Sequence, residues 1–312
     1  MTAPDPLIAR RNQIPLGIAY TVGSTVMFAG GNAVVKWQLE SYPLGEVAFG
    51  RTLFAFLTVA AIVLPRTGFA VLRTNRYREH LQRGLSQFGS MLCWFLAVSV
   101  LSLGEATAIG FAAPLFTTLL SIVILKEKVG IHRWSALIVG FVGVLFITNP
   151  GAGTLTYGAL FALGNAVLIS TVAIAIRRMS ATESTETLTL YQMSIMTLCT
   201  ACLLTLGFRA PHWTDALMVA FAGIGNGIAQ YWWTRSLSLA PPSAVVPFNY
   251  LSLVWAAMLG FAIWGDVPTP GLLLGSAIVV ASGLYILWRE TLRQPRRPAP
   301  ARAAERGPVR PA

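Results

Sequence analysis

The chain has 312 residues, of which 55% are apolar and 11% charged, and its mean hydropathy is +0.64. A soluble domain carries about 25% charged residues, so this composition excludes an ordinary soluble enzyme, a disordered chain and a coiled coil. The net charge is +11. In a soluble protein that charge would suggest binding to nucleic acid, whereas in a membrane protein basic residues concentrate in the loops between the spans.

Apolar runs follow one another along the chain with short loops between them. A spanning helix needs about 20 apolar residues, and the run after Arg10 and Arg11 is long enough to be a span and not a cleavable signal. The segment Leu101–Glu105 is nearly continuous with its neighbours, but Gly104 predicts a tight turn there. The ten predicted spans are 14–35, 43–64, 83–102, 105–125, 133–149, 155–176, 186–207, 214–234, 242–264 and 270–288.

The basic residues fall on one side of these spans. With the N-terminus inside, all Lys and Arg lie in inside segments except Lys36 and Arg209, which fall outside, and Arg51, which falls within a span. Inside loops of membrane proteins carry an excess of Lys and Arg. The sequence therefore predicts an all-α polytopic membrane protein with ten transmembrane helices, both termini cytoplasmic, in contact with the lipid bilayer and not with nucleic acid.

The two halves of the chain share a weak internal repeat. Leu101-Ser102-Leu103 recurs as Leu237-Ser238-Leu239, Lys36 corresponds to Arg177, and Glu127 corresponds to Asp266. Each half holds five spans, and an odd number predicts that the second half enters from the opposite side, as an inverted-topology repeat. The predicted organisation is a cytoplasmic tail (1–13), a first repeat (14–149), a second repeat (155–288) and a disordered basic cytoplasmic tail (289–312).

At this point the chain resembles a known family. Gly140-x-x-Gly143-Val144 followed by Asn149-Pro150-Gly151 is similar to a signature of the drug/metabolite transporter superfamily, EamA type, as are Glu127, Asp266 and Arg51. Within that superfamily the chain looks most like the bacterial YddG-type exporters of aromatic amino acids. The resemblance implies a multi-pass protein of the bacterial inner membrane that exports small metabolites through a central cavity between the repeats. The second repeat departs from the pattern, because Gln192 stands where Arg51 stands in the first.

Polar and aromatic residues inside the spans are candidates for the lining of that cavity. Asn226 and Gln230 lie four residues apart on one helix face, and their repeat partners are Ser90 and Trp94. Polar groups are costly against lipid, so they either face a cavity or bond to a neighbouring helix. The predicted substrate-binding residues are Ser24, Phe28, Ser90, Trp94, Phe111, Asn165, Asn226, Gln230, Asn249 and Tyr250.

Two prolines interrupt the fourth and ninth spans. Pro114 and Pro247 each free a backbone carbonyl one turn earlier. Such carbonyls either hold a substrate group or permit bending, and a tolerated kink explains the prolines equally well. Of the adjacent Trp232 and Trp233, only one can face inward.

Ionisable residues are scarce within the spans, where Glu46 and Arg51 are the candidates for coupling to an ion. A proton relay usually needs an acidic group or a histidine inside the membrane. Glu46 is the candidate for that role, so proton coupling stays an alternative. Few cations are expected at the cavity, which disfavours phosphorylated solutes and favours a neutral or zwitterionic one with a bulky apolar side chain.

The sequence therefore predicts a secondary transporter that exports small neutral or zwitterionic metabolites, in particular aromatic or hydrophobic amino acids, by alternating access. No cofactor, metal or catalytic residue is expected. Cys199 and Cys202 have C-x-x-C spacing, but no second pair accompanies them. The alternatives are a multidrug or lipophilic-cation exporter with Glu46 as coupling residue, and a polytopic membrane enzyme. The substrate, the coupling ion and the oligomeric state stay open.

Overall fold

The computed structural model describes residues 14–124, 131–148, 157–179, 182–239 and 246–293. Each of the ten predicted spans contains helix, and the break predicted near Leu101 is present. The helices are α1 (Ile14–Leu39), α2 (Leu44–Thr67), α3 (Tyr77–Val98), α4 (Leu103–Gly110), α5 (Ala113–Ile124), α6 (Ile131–Thr148), α7 (Tyr157–Met179), α8 (Thr185–Leu203), α9 (Trp213–Leu239), α10 (Leu251–Trp264) and α11 (Pro270–Arg293). Short 3-10 turns span Gly68–Leu72, Leu204–Leu206 and Val246–Tyr250.

Local sequence accounts for several helix ends. Ser102 caps α4: its hydroxyl accepts a hydrogen bond from the Glu105 N–H, and the Glu105 carboxylate accepts one from the Ser102 N–H. Ser184 caps α8 by accepting from the Thr187 N–H. At the end of α10, Gly265 takes a left-handed conformation (φ 71°), which glycine adopts without steric cost.

Both predicted proline interruptions fall at helix breaks. The fourth span is divided at 111–112, and Pro114 is the second residue of α5, where a proline costs no hydrogen bond. Pro247 lies in the 3-10 turn that precedes α10. Their side chains are outside the described residues, as are residues 1–13 and 294–312 of the tails, Glu127, and Asn149-Pro150-Gly151.

Much of the helical surface is apolar and exposed. Phe221 is 74% exposed and Leu198 69% exposed, and similar side chains occur on most helices. Four described helical segments are long and apolar enough to cross a membrane, namely Pro15–Leu39, Leu44–Leu72, Tyr157–Ile176 and Thr185–Leu206. Such a surface is stable against lipid and not against water.

The helices of the two halves interleave in matching pairs. Helix α1 packs on α9 as α7 packs on α3, and α2 packs on α9 as α8 packs on α3. Replacing every span by the corresponding span of the other repeat, five spans away, converts one contact of each pair into the other. The contacts between α2 and α8 and between α6 and α11 map onto themselves under this exchange, so helices of both halves surround one centre.

Small residues allow close approach at these contacts. A Cβ at Gly223 would lie 2.7 Å from the Arg51 carbonyl oxygen, and one at Gly227 would lie 3.0 Å from the Ala55 carbonyl oxygen. These two glycines form a Gly-x-x-x-Gly pattern that lets α9 pack closely on α2. Gly271 and Gly275 form a second such pattern, which lets α11 pack closely on α6.

Candidate functional site

A cavity of about 400 Å³ lies between the two sets of helices. That volume is within the range of about 300–1,000 Å³ that small-molecule sites occupy. Its lining comes from α1, α2, α3, α4, α7, α8, α9 and α10, together with the turn before α10. Both halves of the chain therefore contribute to one chamber.

Most of the predicted substrate-binding residues meet at this cavity. The predicted residues on its wall are Phe28, Ser90, Trp94, Phe111, Asn165, Asn226, Gln230 and Asn249. Arg51, which was predicted for coupling, also lines the cavity. The structure therefore collects in one place residues that lie up to 221 positions apart in the sequence.

Two of the predicted substrate-binding residues do not face the cavity. Ser24 is fully buried, and its hydroxyl donates to the Thr21 carbonyl oxygen at 2.7 Å. The ring of Tyr250 packs at a tilt against Phe111, with centroids 4.8 Å apart, and its hydroxyl occupies the space that a side chain at Gly283 would need. Tyr250 therefore supports a wall residue from behind.

Glu46, the other residue predicted for coupling, lies away from the cavity in the first turn of α2. Its Oε2 accepts a hydrogen bond from the Arg209 backbone N–H at 3.1 Å, across the gap to the loop before α9. Beside it, the Tyr42 hydroxyl donates to Asp215 at 2.6 Å, and this bond raises the pKa of Tyr42. The described residues that line the cavity include no carboxylate.

Sequence reasoning missed several lining residues. Some carried a usable signal: Asn32 is one turn beyond Phe28, and Gln87 precedes Ser90 by three residues. Of the two adjacent tryptophans, Trp233 lines the cavity, and Trp232 packs against Tyr20 and Gly23. The missed residues with polar or aromatic side chains are Thr25, Asn32, Thr52, Gln87, Thr107, Gln192, Trp233 and Ser252.

Hydrogen bonds fix the polar wall. Arg51 donates through Nη2 to Oδ1 of Asn32 and Oδ1 of Asn226, both at 3.1 Å. Asn165 donates to the carbonyl oxygen of Ser90 at 2.9 Å and to its hydroxyl at 3.3 Å. Gln192 accepts from Arg83. These four amide side chains are therefore oriented before any solute enters, which lowers the cost of binding.

A second polar cluster lies one helical turn beyond Asn32. The Lys36 ammonium donates to the Leu101 carbonyl oxygen at 2.7 Å and lies 3.8 Å from Oδ2 of Asp266. It is also 5.0 Å from the centre of the Trp264 ring, whose indole N–H donates to Glu40 at 2.7 Å. This Lys36 cluster ties the end of α1 to the turn before α4 and to the loop after α10.

Comparison with known proteins identifies relatives of the whole chain. A model described as the EamA-like transporter family matches residues 15–149 and again residues 156–288. A riboflavin transporter of Rhizobium johnstonii is 28% identical over 287 residues, which cover 91% of this chain and 94% of that protein. An S-adenosylmethionine uptake transporter of Rickettsia bellii is 26% identical over 278 residues, covering 88% and 94%.

A pseudopaline exporter of Pseudomonas aeruginosa is 26% identical over 277 residues, covering 85% of this chain and 94% of that protein. A solved crystal structure superposes with a TM-score of 0.63 at 20% identity, covering 89% of this chain and 99% of that one. The structural likeness is one of fold. The named relatives are transporters of small molecules, of both uptake and export types.

Proposed function

The chain belongs to the EamA-like transporter family, within the drug/metabolite transporter superfamily, and on that premise we propose that it exports aromatic or hydrophobic amino acids. The family and its relatives make it a multi-pass membrane transporter of small molecules. The proposal adds the substrate class, the bacterial inner membrane as location, and alternating access as mechanism. It treats the chain as a transporter and not as an enzyme.

One observation carries the substrate class. The cavity combines aromatic side chains (Phe28, Trp94, Phe111 and Trp233) with amide side chains, several of which are already oriented by hydrogen bonds. An aromatic ring packs well against such a wall, and amides satisfy the polar ends of a zwitterion. A solute of the size and polarity of phenylalanine or tryptophan suits this chamber.

The proposed topology has ten spans in two inverted repeats, with both termini in the cytoplasm. The distribution of Lys and Arg over the loops supports this orientation, and the matching helix pairs support the repeat. The Lys36 cluster then lies on the outer side, and it holds the outer ends of helices from both halves together. Alternating access requires this contact to open and a counterpart on the inner side to close.

The direct test is uptake of labelled phenylalanine or tryptophan into liposomes that hold the purified protein. We expect saturable flux without a pH gradient, because the described cavity wall carries no carboxylate to take up a proton. Protein-free liposomes are the control. Flux only in the presence of a gradient would contradict the uncoupled mechanism, and an absence of flux for both amino acids would contradict the substrate class.

Replacement of Glu46 by glutamine should leave this flux within about twofold of the wild-type rate. Glu46 lies outside the cavity and accepts a backbone N–H, and an exposed hydrogen bond of this kind is worth about 1 kcal/mol or less. Flux at several pH values is the measurement, with Asp215→Asn, at the same end of the bundle, as the matched control. Loss of transport in Glu46→Gln would instead favour the lipophilic-cation exporter with Glu46 as coupling residue.

A flavin-like solute is the second candidate. Two relatives at 28% identity are riboflavin transporters, from Rhizobium johnstonii and Vibrio cholerae. Riboflavin is uncharged and carries a planar isoalloxazine ring, and the same aromatic and amide wall would accept it. Uptake of labelled riboflavin and of labelled tryptophan, measured side by side, separates the candidates: riboflavin flux with no tryptophan flux would favour the flavin.

A further inference from the structure

One cation faces the cavity without an anionic partner. Arg51 is 8% exposed, and the described residues place no carboxylate in an ion pair with it. Its Nη2 is held by two neutral amide oxygens, and its Nε is buried without an acceptor. A buried charge is costly unless it is paired, so this site gains most from a solute that brings the missing anion.

The surroundings of Arg51 offer hydrogen-bond donors. Asn32 and Asn226 each accept a hydrogen bond from the guanidinium through Oδ1, which leaves their Nδ2 groups as donors at the cavity wall. Together with Arg51, these residues form a cluster, the Arg51 cluster, built from α1, α2 and α9. An acceptor-only group matches a set of donors, and a carboxylate is such a group.

The Arg51 cluster is held in place before a ligand arrives. The ring of Phe95, fully buried, lies 5.6 Å from the guanidinium carbon of Arg51. Gly223 lets α9 approach the backbone of Arg51, and this approach brings Asn226 within hydrogen-bonding distance of the guanidinium. Both Nη2 hydrogens go to Asn32 and Asn226 and Nε is buried, so Nη1 is the guanidinium nitrogen left for a solute. A cation held in this way binds an anion at low entropic cost.

Asn165, elsewhere on the wall, has the opposite character. Asn165 uses its Nδ2 on the oxygens of Ser90, so its Oδ1 is the acceptor left at the wall. Acceptors of this kind suit an ammonium group. A zwitterion would therefore find donors at the Arg51 cluster and an acceptor at Asn165.

We propose that the Arg51 cluster binds the carboxylate of the transported solute, which defines the substrate class as aromatic solutes that bear a carboxylate. This inference rests on the proposed transport function and narrows it. It assigns Arg51 a direct contact with substrate and makes Asn32 and Asn226 the residues that orient it. A purely structural Arg51, tying α1, α2 and α9 together, would make no distinction among solutes.

The first test compares solutes on the wild-type protein, as competitors of labelled phenylalanine uptake into liposomes. 3-Phenylpropanoate keeps the carboxylate and lacks the ammonium group, and phenethylamine has the reverse composition. We expect phenethylamine to compete about 10- to 100-fold more weakly than phenylalanine, the effect of losing a charge-assisted hydrogen-bonded pair, and phenylpropanoate to compete better than phenethylamine. Equal competition by phenethylamine and phenylalanine would overturn the proposal.

The second test compares variants. Arg51→Met should raise the KM for phenylalanine about 10- to 100-fold without changing inhibition by phenethylamine, and Arg51→Lys should recover part of the loss. Arg66→Met is the matched control, because Arg66 bonds to Tyr231 away from the cavity wall. A lower kcat with unchanged KM in Arg51→Met would show a structural tie and overturn the proposal.

The outcomes distinguish this inference from the transport function. Saturable flux of phenylalanine that is insensitive to Arg51→Met would reject the carboxylate site and leave a transporter. Absence of flux for every solute would reject the transport proposal itself. If Arg51→Met does not fold, as judged by size-exclusion chromatography, the competition series on the wild-type protein decides.

Discussion

Replacement of Lys36 by methionine is expected to raise the rate at which the cavity is labelled from outside the cell by about 5- to 30-fold, the effect of losing about 1–2 kcal/mol from the closed state. The reporter is a single cysteine at Ser252, a cavity residue, in a chain whose Cys93, Cys199 and Cys202 are replaced. A membrane-impermeant maleimide measures the rate. The prediction rests on the proposed orientation, which puts Lys36 on the outer side.

The size of the effect follows from the contacts that would be lost. The Lys36 ammonium is largely buried, with 13% of its side chain exposed, and it bonds at 2.7 Å to the Leu101 carbonyl oxygen. Methionine keeps most of the stem and supplies no donor, so that oxygen loses its partner and Asp266 loses its nearest cation. Both losses weaken the state in which the outer ends of α1, α4 and α10 meet.

The repeat supplies a control for this experiment. Lys36, Leu101 and Asp266 correspond to Arg177, Leu237 and Glu127 in the other half of the sequence. If the repeats are inverted, Arg177→Met should destabilise the state in which the inner side is closed. Because the cavity opens to the outside in that state, labelling from outside should fall. Unchanged labelling in Lys36→Met would contradict the role of the Lys36 cluster in closing the outer side. A rise in labelling in both variants would contradict the inverted relation between the two repeats.

The sequence was sufficient for the helices because their signals are local. Apolar runs, the turn at Leu101 and the prolines at 114 and 247 are visible within a window of some 20 residues, and the structure places helices and breaks accordingly. One clear shift is at α3, which begins at Tyr77, six residues before the predicted span at 83. Its first turns are polar, so hydropathy alone missed them.

The cavity wall was harder to predict because it depends on how each helix is rotated about its axis. Neighbouring residues point about 100° apart on a helix. Ser24 is therefore buried away from the cavity, whereas the next residue, Thr25, lines it. The partners of Arg51 could not be read from the sequence either. They lie 19 and 175 residues away, and the packing of α1 and α2 against α9 brings them together.

Replacement of Gly275 by valine should destabilise the protein by about 2–3 kcal/mol, near the upper end of the cost of overfilling a packed interior. A Cβ at this position would lie 2.5 Å from the Gly143 carbonyl oxygen and 2.6 Å from Cγ1 of Ile147. Because one of these neighbours is backbone, α11 must move away from α6. The measurement is the thermal-unfolding midpoint in detergent, followed by intrinsic fluorescence.

Gly30→Val is the matched control, since Gly30 is also inside a helix and a Cβ there would have no neighbour within 4 Å. Because valine has a higher helix propensity than glycine, this variant should change stability by at most a few tenths of a kcal/mol, toward greater stability. Equal midpoints for the two variants would contradict the packing argument. The contact between α6 and α11 maps onto itself under exchange of the two halves, so separating these helices loosens both repeats at once. We therefore expect Gly275→Val to lower phenylalanine flux together with stability, although Gly275 does not line the cavity.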